Sequence, residues 1–367
     1  MSITKAYSAA KIFTGDTWLH DHIVLIDESR ITSVLPSASL PPGILVQHFP
    51  DAILVPAFID LQIYGAYRKL LAVYPEPDSL YKLNDYCRCG GAAYCLPTVA
   101  TNKYEVFFKS IDAIKQYWAE GGEGVLGLHV EGPWINPAKR GAHIESLIHS
   151  PTVEQAKELL EYGKGVIKII TLAPEVCSQR VIDLILSYGV IISAGHSNAT
   201  YAEAMNSFTK GITAVTHLYN AMSSLQHRAP GLAGAAMDNK KVMASIIPDG
   251  HHVDYAAIRI AKEVIRDRLF IITDAVTETT DGLYAHRLEG DKYVSNNILS
   301  GSALTMNKAV QNLVKHTGIE LGEALRMCSL YPAKVIGLEK ELGKIEKGYK
   351  AKMVLLGERH DVVQLIG

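Results

Sequence analysis

The chain has 367 residues, 48% of them hydrophobic, enough to build one large core with a smaller one beside it. Its formal net charge of -2 gives no bulk field to attract nucleic acid or an anionic membrane, and no basic run or basic-aromatic stripe stands out. No stretch approaches the roughly 20 apolar residues of a membrane span.

The first ten residues lack the apolar core of a signal peptide. The five cysteines are an odd number. Cys87, Cys89 and Cys95 cluster, but no second pair completes a zinc spacing, so ordinary reduced thiols and a cytoplasmic location are expected. Up to about residue 50 the pattern alternates, through Ile23–Ile26, Ile31–Leu35 and the turn at Pro41-Pro-Gly43, which suits short strands. From Ile53 the rhythm changes to continuous apolar runs: Ile53–Asp60, Ala92–Thr98, Val125–Glu131, Val166–Leu172, Val190–His196, Ile212–His217, Val242–Pro248 and Leu269–Asp274. Amphipathic segments such as Tyr104–Glu120, Thr152–Tyr162, Arg180–Tyr188 and Tyr255–Arg266 lie between them. Continuous apolar strands alternating with helices imply a parallel sheet covered on both faces. Eight such units imply an α/β fold closed as a (β/α)8 TIM-like barrel. The Gly-x-Gly-x-x-Gly turn that would favour an open doubly wound sheet is absent. Helical patterns follow at Lys308–His316 and Leu321–Leu330, then a strand pattern at Ala351–Leu356. The expected organisation is a barrel over 53–335, inserted in a small β-sandwich domain built from both chain ends, 1–52 and 336–367.

Four of the runs close on chemistry-bearing residues: Glu131, His196, His217 and Asp274. Polar groups are rare inside buried strands, and barrels of this class carry their chemistry at the C-terminal strand ends. Glu131, His196 and His217 supply carboxylate and imidazole ligands for a catalytic metal that keeps one position open to water. Asp274 is then the expected general base, returning its proton to a leaving group.

The segments around these residues are long and ordered. They read His129-Val-Glu-Gly-Pro-Trp-Ile-Asn-Pro-Ala-Lys-Arg-Gly-Ala-His143, Ala194-Gly-His-Ser197, Thr216-His-Leu-Tyr-Asn-Ala-Met222, Pro230-Gly-Leu-Ala-Gly234, Asp249-Gly-His-His252 and Leu299-Ser-Gly-Ser-Ala-Leu-Thr-Met306. They closely resemble the signature segments of the N-acetylglucosamine-6-phosphate deacetylases, of the amidohydrolase superfamily. The resemblance runs from Pro56-Ala-Phe-Ile-Asp60 to the Gly343–Ala351 segment. It implies the barrel and split β-sandwich, and hydrolysis of the acetamide of an amino-sugar 6-phosphate. A galactosamine epimer, another cyclic amide, or a sugar-phosphate sensor without turnover are the alternatives. The resemblance assigns one divalent metal, zinc by default with iron also accepted, to Glu131, His196 and His217. It gives the acid/base role to Asp274, a catalytic role to His143, and substrate contacts to Ala142, Leu299, Ser300 and Gly301. Phosphate contacts fall on Asn220, Ala221, Arg228 and His252, some of them expected from a neighbouring subunit of a homodimer or larger homo-oligomer. Read by themselves, the Asn220-Ala221 backbone can cradle an anion and Arg228 offers a donor fork suited to phosphate. His251 and His252 are adjacent, and the family pattern favours His252 as the one facing the site.

One departure stands out. Many amidohydrolases hold a second metal with His-x-His at the end of the first barrel strand. Here Gln62 and Tyr64 occupy those positions, and neither is a good zinc ligand. The segment Thr277–Asn297 also looks short for the family, which leaves one wall of the site open to variation.

Overall fold

The computed structural model describes residues 5–367 and divides into two compact units. The first takes the described residues up to Ile59 together with Cys87–Tyr94 and Thr305–Gly367. Its centre is a seven-stranded sheet. Val362–Ile366, Met353–Leu356, Val46–Pro56, Lys5–Phe13, His22–Asp27 and Arg30–Pro36 lie in that order, and Trp18–Leu19 pairs with Lys5–Phe13. Strands from the two chain ends meet where Val46–Pro56 pairs antiparallel with Met353–Leu356. The alternation read in the sequence sorts side chains to opposite faces. Tyr7, Val24 and Ile26 join one apolar cluster, whereas Ala6, Ile23 and Leu25 join another.

The apolar run expected at Ile53–Asp60 is cut in two. Val46–Pro56 belongs to the small sheet and Phe58–Ile63 is the first barrel strand. Pro56 carries no N–H to continue a ladder. Ala57 N–H then donates to Lys352 O (3.1 Å), and Phe58 N–H to Gly91 O (2.9 Å). Periodicity cannot see this break, because the run is apolar on both sides of it.

The second unit, Asp60–Tyr86 with Cys95–Leu304, holds most of the barrel. The eight-stranded sheet runs in sequence order through Phe58–Ile63, Ala92–Ala100, Leu128–Glu131, Ile167–Leu172, Ile191–Ala194, Ala214–Val215, Met243–Ile246 and Leu269–Ile271. The ladders from the second strand to the eighth are parallel. Closure comes from a parallel bridge between Ile63 and Ala275, with Asp274 N–H donating to Gln62 O (3.0 Å) and Tyr64 N–H to Ala275 O (2.9 Å). Side-chain caps start the covering helices. Thr152 forms a capping box with Gln155 ahead of Val153–Tyr162, and Thr200 does so with Glu203 ahead of Tyr201–Thr209. Between Asp274 and the end of the unit a three-stranded antiparallel sheet is inserted: Arg287–Glu289, Lys292–Ser295 and Ile298–Ser302. No helix among the described residues is long and apolar enough to cross a membrane.

Four barrel strands share a layer of buried polar groups. His129 Nδ1–H donates to Leu61 O (2.9 Å). Its Nε2 faces Thr171 Oγ1 (2.8 Å), which meets Thr216 Oγ1 (2.7 Å), which meets Ser193 Oγ (2.6 Å). Gly195 lies against this layer: a Cβ there would sit 2.7 Å from Thr171 Cγ2 and 2.9 Å from Thr216 Cβ. Both neighbours are β-branched and stiff. Gly195→Ala is therefore expected to destabilise by about 1–3 kcal/mol, the usual magnitude of overpacking. An unchanged urea midpoint would show that the layer can shift aside.

Candidate active site

Four polar groups of the candidate site stand at or just beyond the C-terminal end of a barrel strand. Glu131 ends the third strand, His196 follows the fifth by two residues, His217 follows the sixth by two, and Asp274 follows the eighth by three. His196, His217 and Asp274 have positive φ, at 47°, 33° and 55°. Non-glycine residues rarely adopt this region, and each such residue costs on the order of 1–3 kcal/mol. The strain turns each side chain away from its strand and toward one point.

That point is Glu131, 1% exposed. Its Oε1 lies 3.2 Å from His196 Nε2 and 3.2 Å from His217 Nε2, and those two nitrogens are 3.1 Å apart. His143 Nε2 lies 3.4 Å from Glu131 Oε2, and its Nδ1 lies 2.6 Å from Thr101 Oγ1. His196 Nδ1 faces the carbonyl of Lys139 at 2.9 Å, so Nδ1 carries the proton and the Nε2 lone pair points to Glu131. An unprotonated imidazole nitrogen facing a carboxylate oxygen and a second imidazole nitrogen is a donor set that suits a cation. Glu131, His143 and His196 form one geometric group able to hold a metal, and His217 reaches the same carboxylate oxygen. His217 Nδ1 is buried without a partner, so no hydrogen bond fixes its tautomer.

On the other side of Glu131, the positions that departed from the His-x-His pattern supply hydrogen-bond donors. Gln62 Nε2 donates to Glu131 Oε1 (3.0 Å) and to Asp274 Oδ1 (2.8 Å). The Tyr64 hydroxyl donates to Glu131 Oε2 (2.5 Å) and lies 3.2 Å from Asp274 Oδ1. Gln62 and Tyr64 thus bridge the two carboxylates with neutral groups. Behind them, buried Asp60 accepts from the Thr273 hydroxyl and from the Thr273 and Gln62 amides, and burial pushes its carboxyl up to about 7.

The electrostatics follow from this packing. Burial pushes Glu131 up, but the imidazoles of His143, His196 and His217 packed against it outweigh that and hold the carboxyl well below its usual range. Asp274 has fewer compensating partners. Burial raises it, His217 only partly offsets that, and the charge of Glu131 raises it further. Two buried carboxylates are thereby pushed apart in basicity, a pattern typical of acid/base sites. Burial and the neighbouring His143 lower His196 to about 4, which keeps its ring neutral.

A cavity of about 900 Å3, open mouth included, rises over these groups. The expected residues Ala142, His143, Asn220, Ala221, His252, Leu299, Ser300 and Gly301 all line it. His252, not His251, faces inward. Its Nδ1 bonds Asp249 Oδ2 at 2.6 Å, while His251 turns out to Asp291 at 2.6 Å. Arg228 lies apart from these residues on its own chain. It is not among the cavity-lining residues; it sits on an exposed loop with Nε donating to His227 Nε2 (3.0 Å). That loop closes on itself through the Gln226–Ala229 bridge.

Sequence reasoning missed Thr101, Tyr284 and His286. The Tyr284 hydroxyl donates to Thr101 O (2.7 Å), and Thr101 Oγ1 holds His143, so one residue anchors both. Tyr284 and His286 line the cavity from the segment just ahead of the inserted three-stranded sheet. A usable signal for that sheet existed. Gly290-Asp291 and Asn296-Asn297 are two-residue hairpin turns, with Gly290, Asn296 and Asn297 at positive φ. The last strand of the insert bonds the backbone of Asp274, Ser302 N–H donating to Asp274 O (3.0 Å). Gly301 permits this approach, since a Cβ there would sit 2.6 Å from Val276 and 3.1 Å from Asp274 O.

A barrel whose strand ends converge a carboxylate and imidazoles on one point, with a second carboxylate opposite, defines a metal-dependent hydrolase. The comparisons agree. The amidohydrolase family model matches residues 53–364, and the NagA composite domain matches 6–49. N-acetylglucosamine-6-phosphate deacetylase of Haemophilus influenzae is 33% identical, covering 96% of this chain and 95% of that protein. N-acetylgalactosamine-6-phosphate deacetylase of Escherichia coli O157:H7 is 31% identical, covering 99% and 98%. The crystal structure of N-acetylglucosamine-6-phosphate deacetylase from Pasteurella multocida superposes with a TM-score of 0.94 at 33% identity, covering 99% of this chain and 97% of that one. The chain belongs to the amidohydrolase family and, within it, to the amino-sugar 6-phosphate deacetylases.

Gln62→Leu keeps the approximate size of the side chain but removes the donor shared by Glu131 and Asp274. A hydrogen bond to a charged group contributes about 1.5–3 kcal/mol, so a stability loss of that order is expected in urea denaturation. A midpoint equal to that of the unmodified protein would mean the bridge contributes nothing.

Proposed function

We propose that this chain hydrolyses the acetamide of N-acetylglucosamine 6-phosphate, releasing acetate and glucosamine 6-phosphate. The observation that carries the reading is the pairing of Glu131 and two imidazole Nε2 atoms, 3.1–3.2 Å apart, with Asp274 across the same cavity. The N-acetylgalactosamine epimer is the second reading, supported by the relative named for it at nearly equal identity. The retained Asp274 speaks against a sensor without turnover, which has no use for an acid/base residue.

Glu131, His196 and His217 would hold one divalent cation, zinc by default, with His143 beside them. When bound, such a cation supplies Lewis-acid polarisation of a carbonyl and a water acidified toward neutral pH. Asp274 takes the proton of the attacking water on Oδ2, the oxygen that has no protein partner among the described residues, while Gln62 steadies Oδ1. The raised basicity of Asp274 fits a group that must accept a proton and then return it to the departing amine. His143, held by Thr101, faces the carbonyl oxygen. Asn220, Ala221 and His252 receive the phosphate. Ala142, Leu299, Ser300 and Gly301 shape the sugar pocket.

We further propose that the protein works as a homo-oligomer, the state in which Arg228 of one copy can reach the phosphate bound by another. Its exposure and its distance from the cavity lining of its own chain support this. All five cysteines are unpaired, which suits a reducing, cytoplasmic setting.

The test is acetate release from both sugar phosphates, with metal analysis of the same preparation. One equivalent of divalent metal per chain is expected. Asp274→Asn should lower turnover by at least ~100-fold, the low end of general acid–base contributions, with metal content retained. Near-normal turnover would move the base elsewhere.

Arg228→Ala should raise KM for the phosphorylated sugar by about 10- to 150-fold and leave the slow reaction of unphosphorylated N-acetylglucosamine unchanged. Equal losses on both substrates would make Arg228 a structural residue. Sedimentation showing only monomer at assay concentration would remove the inter-subunit route.

A further inference from the structure

Tyr284 and His286 carry no role in the chemistry above, yet with Ser300 they form a wall of the cavity built as a binding surface. His286 is 8% exposed and lines the cavity. Its Nδ1 lies 2.9 Å from Ser300 Oγ. Its Nε2 has no hydrogen-bond partner among the described residues, and it is not one of the sealed, unpartnered atoms, so it opens to the cavity. A polar atom of a largely buried side chain left without a protein partner is costly unless a ligand or water completes it.

We propose that His286 Nε2 hydrogen-bonds a ring hydroxyl on the carbon-3 to carbon-4 edge of the bound amino sugar; a contact to the 4-hydroxyl would read the configuration that separates gluco from galacto substrates. The inference rests on the amino-sugar reading given above.

The chemistry of the wall selects a hydroxyl. It contains no cationic side chain, which disfavours phosphate, and burial lowers His286 to about 4, so the ring is neutral. The Ser300 hydroxyl can either donate to Nδ1 or accept from it. The imidazole tautomer follows, and Nε2 becomes a donor in the first case and an acceptor in the second. A sugar hydroxyl is the partner that can meet either polarity.

The frame fixes where that atom stands. Tyr284 stacks on His286, with centroids 6.1 Å apart and planes at 8°, and presents its edge to His143 at 6.4 Å and 82°. Thr101 holds His143 through its hydroxyl and Tyr284 through its carbonyl. The imidazole beside the acetamide and the imidazole of the wall are thus members of one rigid assembly. In the sugar, the acetamide sits on carbon 2 and the phosphate on carbon 6. With both ends seated, the ring presents only two edges to the walls: the anomeric edge and the one bearing the 3- and 4-hydroxyls. The anomeric hydroxyl interconverts between two orientations in solution, so a fixed single nitrogen serves the 3,4-edge better.

The test compares kcat/KM of the unmodified enzyme, His286→Phe and His286→Gln on four substrates. These are N-acetylglucosamine 6-phosphate, its galacto epimer, and the 3-deoxy and 4-deoxy analogues of the preferred sugar. His286→Phe retains the stack on Tyr284 and should lose about 2- to 10-fold on the preferred sugar, the worth of one neutral hydrogen bond. The loss should vanish on the deoxy analogue that lacks the partner hydroxyl. The gluco/galacto ratio should move toward one if that hydroxyl is on carbon 4. His286→Gln, which can still donate and accept, should recover part of the loss. Equal losses on all four substrates, or none on any, would overturn the subsite while leaving the deacetylase reading intact. Failure of the unmodified enzyme to release acetate from either epimer would overturn the deacetylase reading and the subsite together.

Discussion

The site depends on keeping one carboxylate charged inside the barrel. Glu131 is 1% exposed, and a lone carboxylate there would take up a proton rather than stay ionised. Five side chains prevent that. Gln62 and Tyr64 donate from one side, while His143, His196 and His217 crowd the other. They come from the ends of the first, fifth and sixth strands and from the segment after the third, so the charge of Glu131 is stabilised only when these strands are brought together. The closure contacts, Asp274 N–H to Gln62 O and Tyr64 N–H to Ala275 O, join the two strands that bring Gln62 and Asp274 together. Folding and site assembly are one event at this edge.

Gln62 and Tyr64 also place a hydrogen-bond bridge between Glu131 and Asp274. Where a second ion would balance Glu131 and Asp274 by charge, here a hydrogen-bond bridge balances them by dipoles. The two solutions differ in what they do to Asp274. A cation would depress its basicity, whereas neutral donors leave burial and the charge of Glu131 to raise it. A carboxylate that must take a proton and give it back is better served by the second arrangement.

Much of this was legible in the sequence, and the misses have physical causes. The eight apolar runs, their order and the four residues closing them at Glu131, His196, His217 and Asp274 follow from burial alone, because a parallel sheet covered on both faces needs continuous apolar strands. The first strand was misplaced because the apolar end of Val46–Pro56, from Ile53, runs directly into Phe58–Ile63, and the missing N–H of Pro56 divides them. The helix Tyr201–Thr209 escaped notice although Thr200 and Glu203 spell a capping box, since it is short and follows a site loop. Arg228 was grouped with the phosphate residues by resemblance, with some contacts expected from a neighbouring subunit, and a donor fork in sequence does not say which copy's cavity an exposed loop faces.

Gln62 and Tyr64 were read only as absent ligands. Their roles as donors depend on distances to Glu131 and Asp274 that span 67 to 212 positions of chain. Long-range contacts of this kind leave no periodic trace. His286 is the sharper case. Its neighbours Tyr284 and Ser300 lie on either side of two hairpin turns, and only the folded insert brings Ser300 Oγ within 2.9 Å of the ring. The metal-facing groups are set by barrel strands, whose pattern any parallel barrel must show. The sugar-facing wall is set by an insert after the last strand, where length and turn chemistry can change without disturbing barrel closure. A wall built that way can alter substrate choice while Glu131 and Asp274 keep the same chemistry. That separation is physically consistent with relatives of nearly equal identity, 33% and 31%, being named for different epimers.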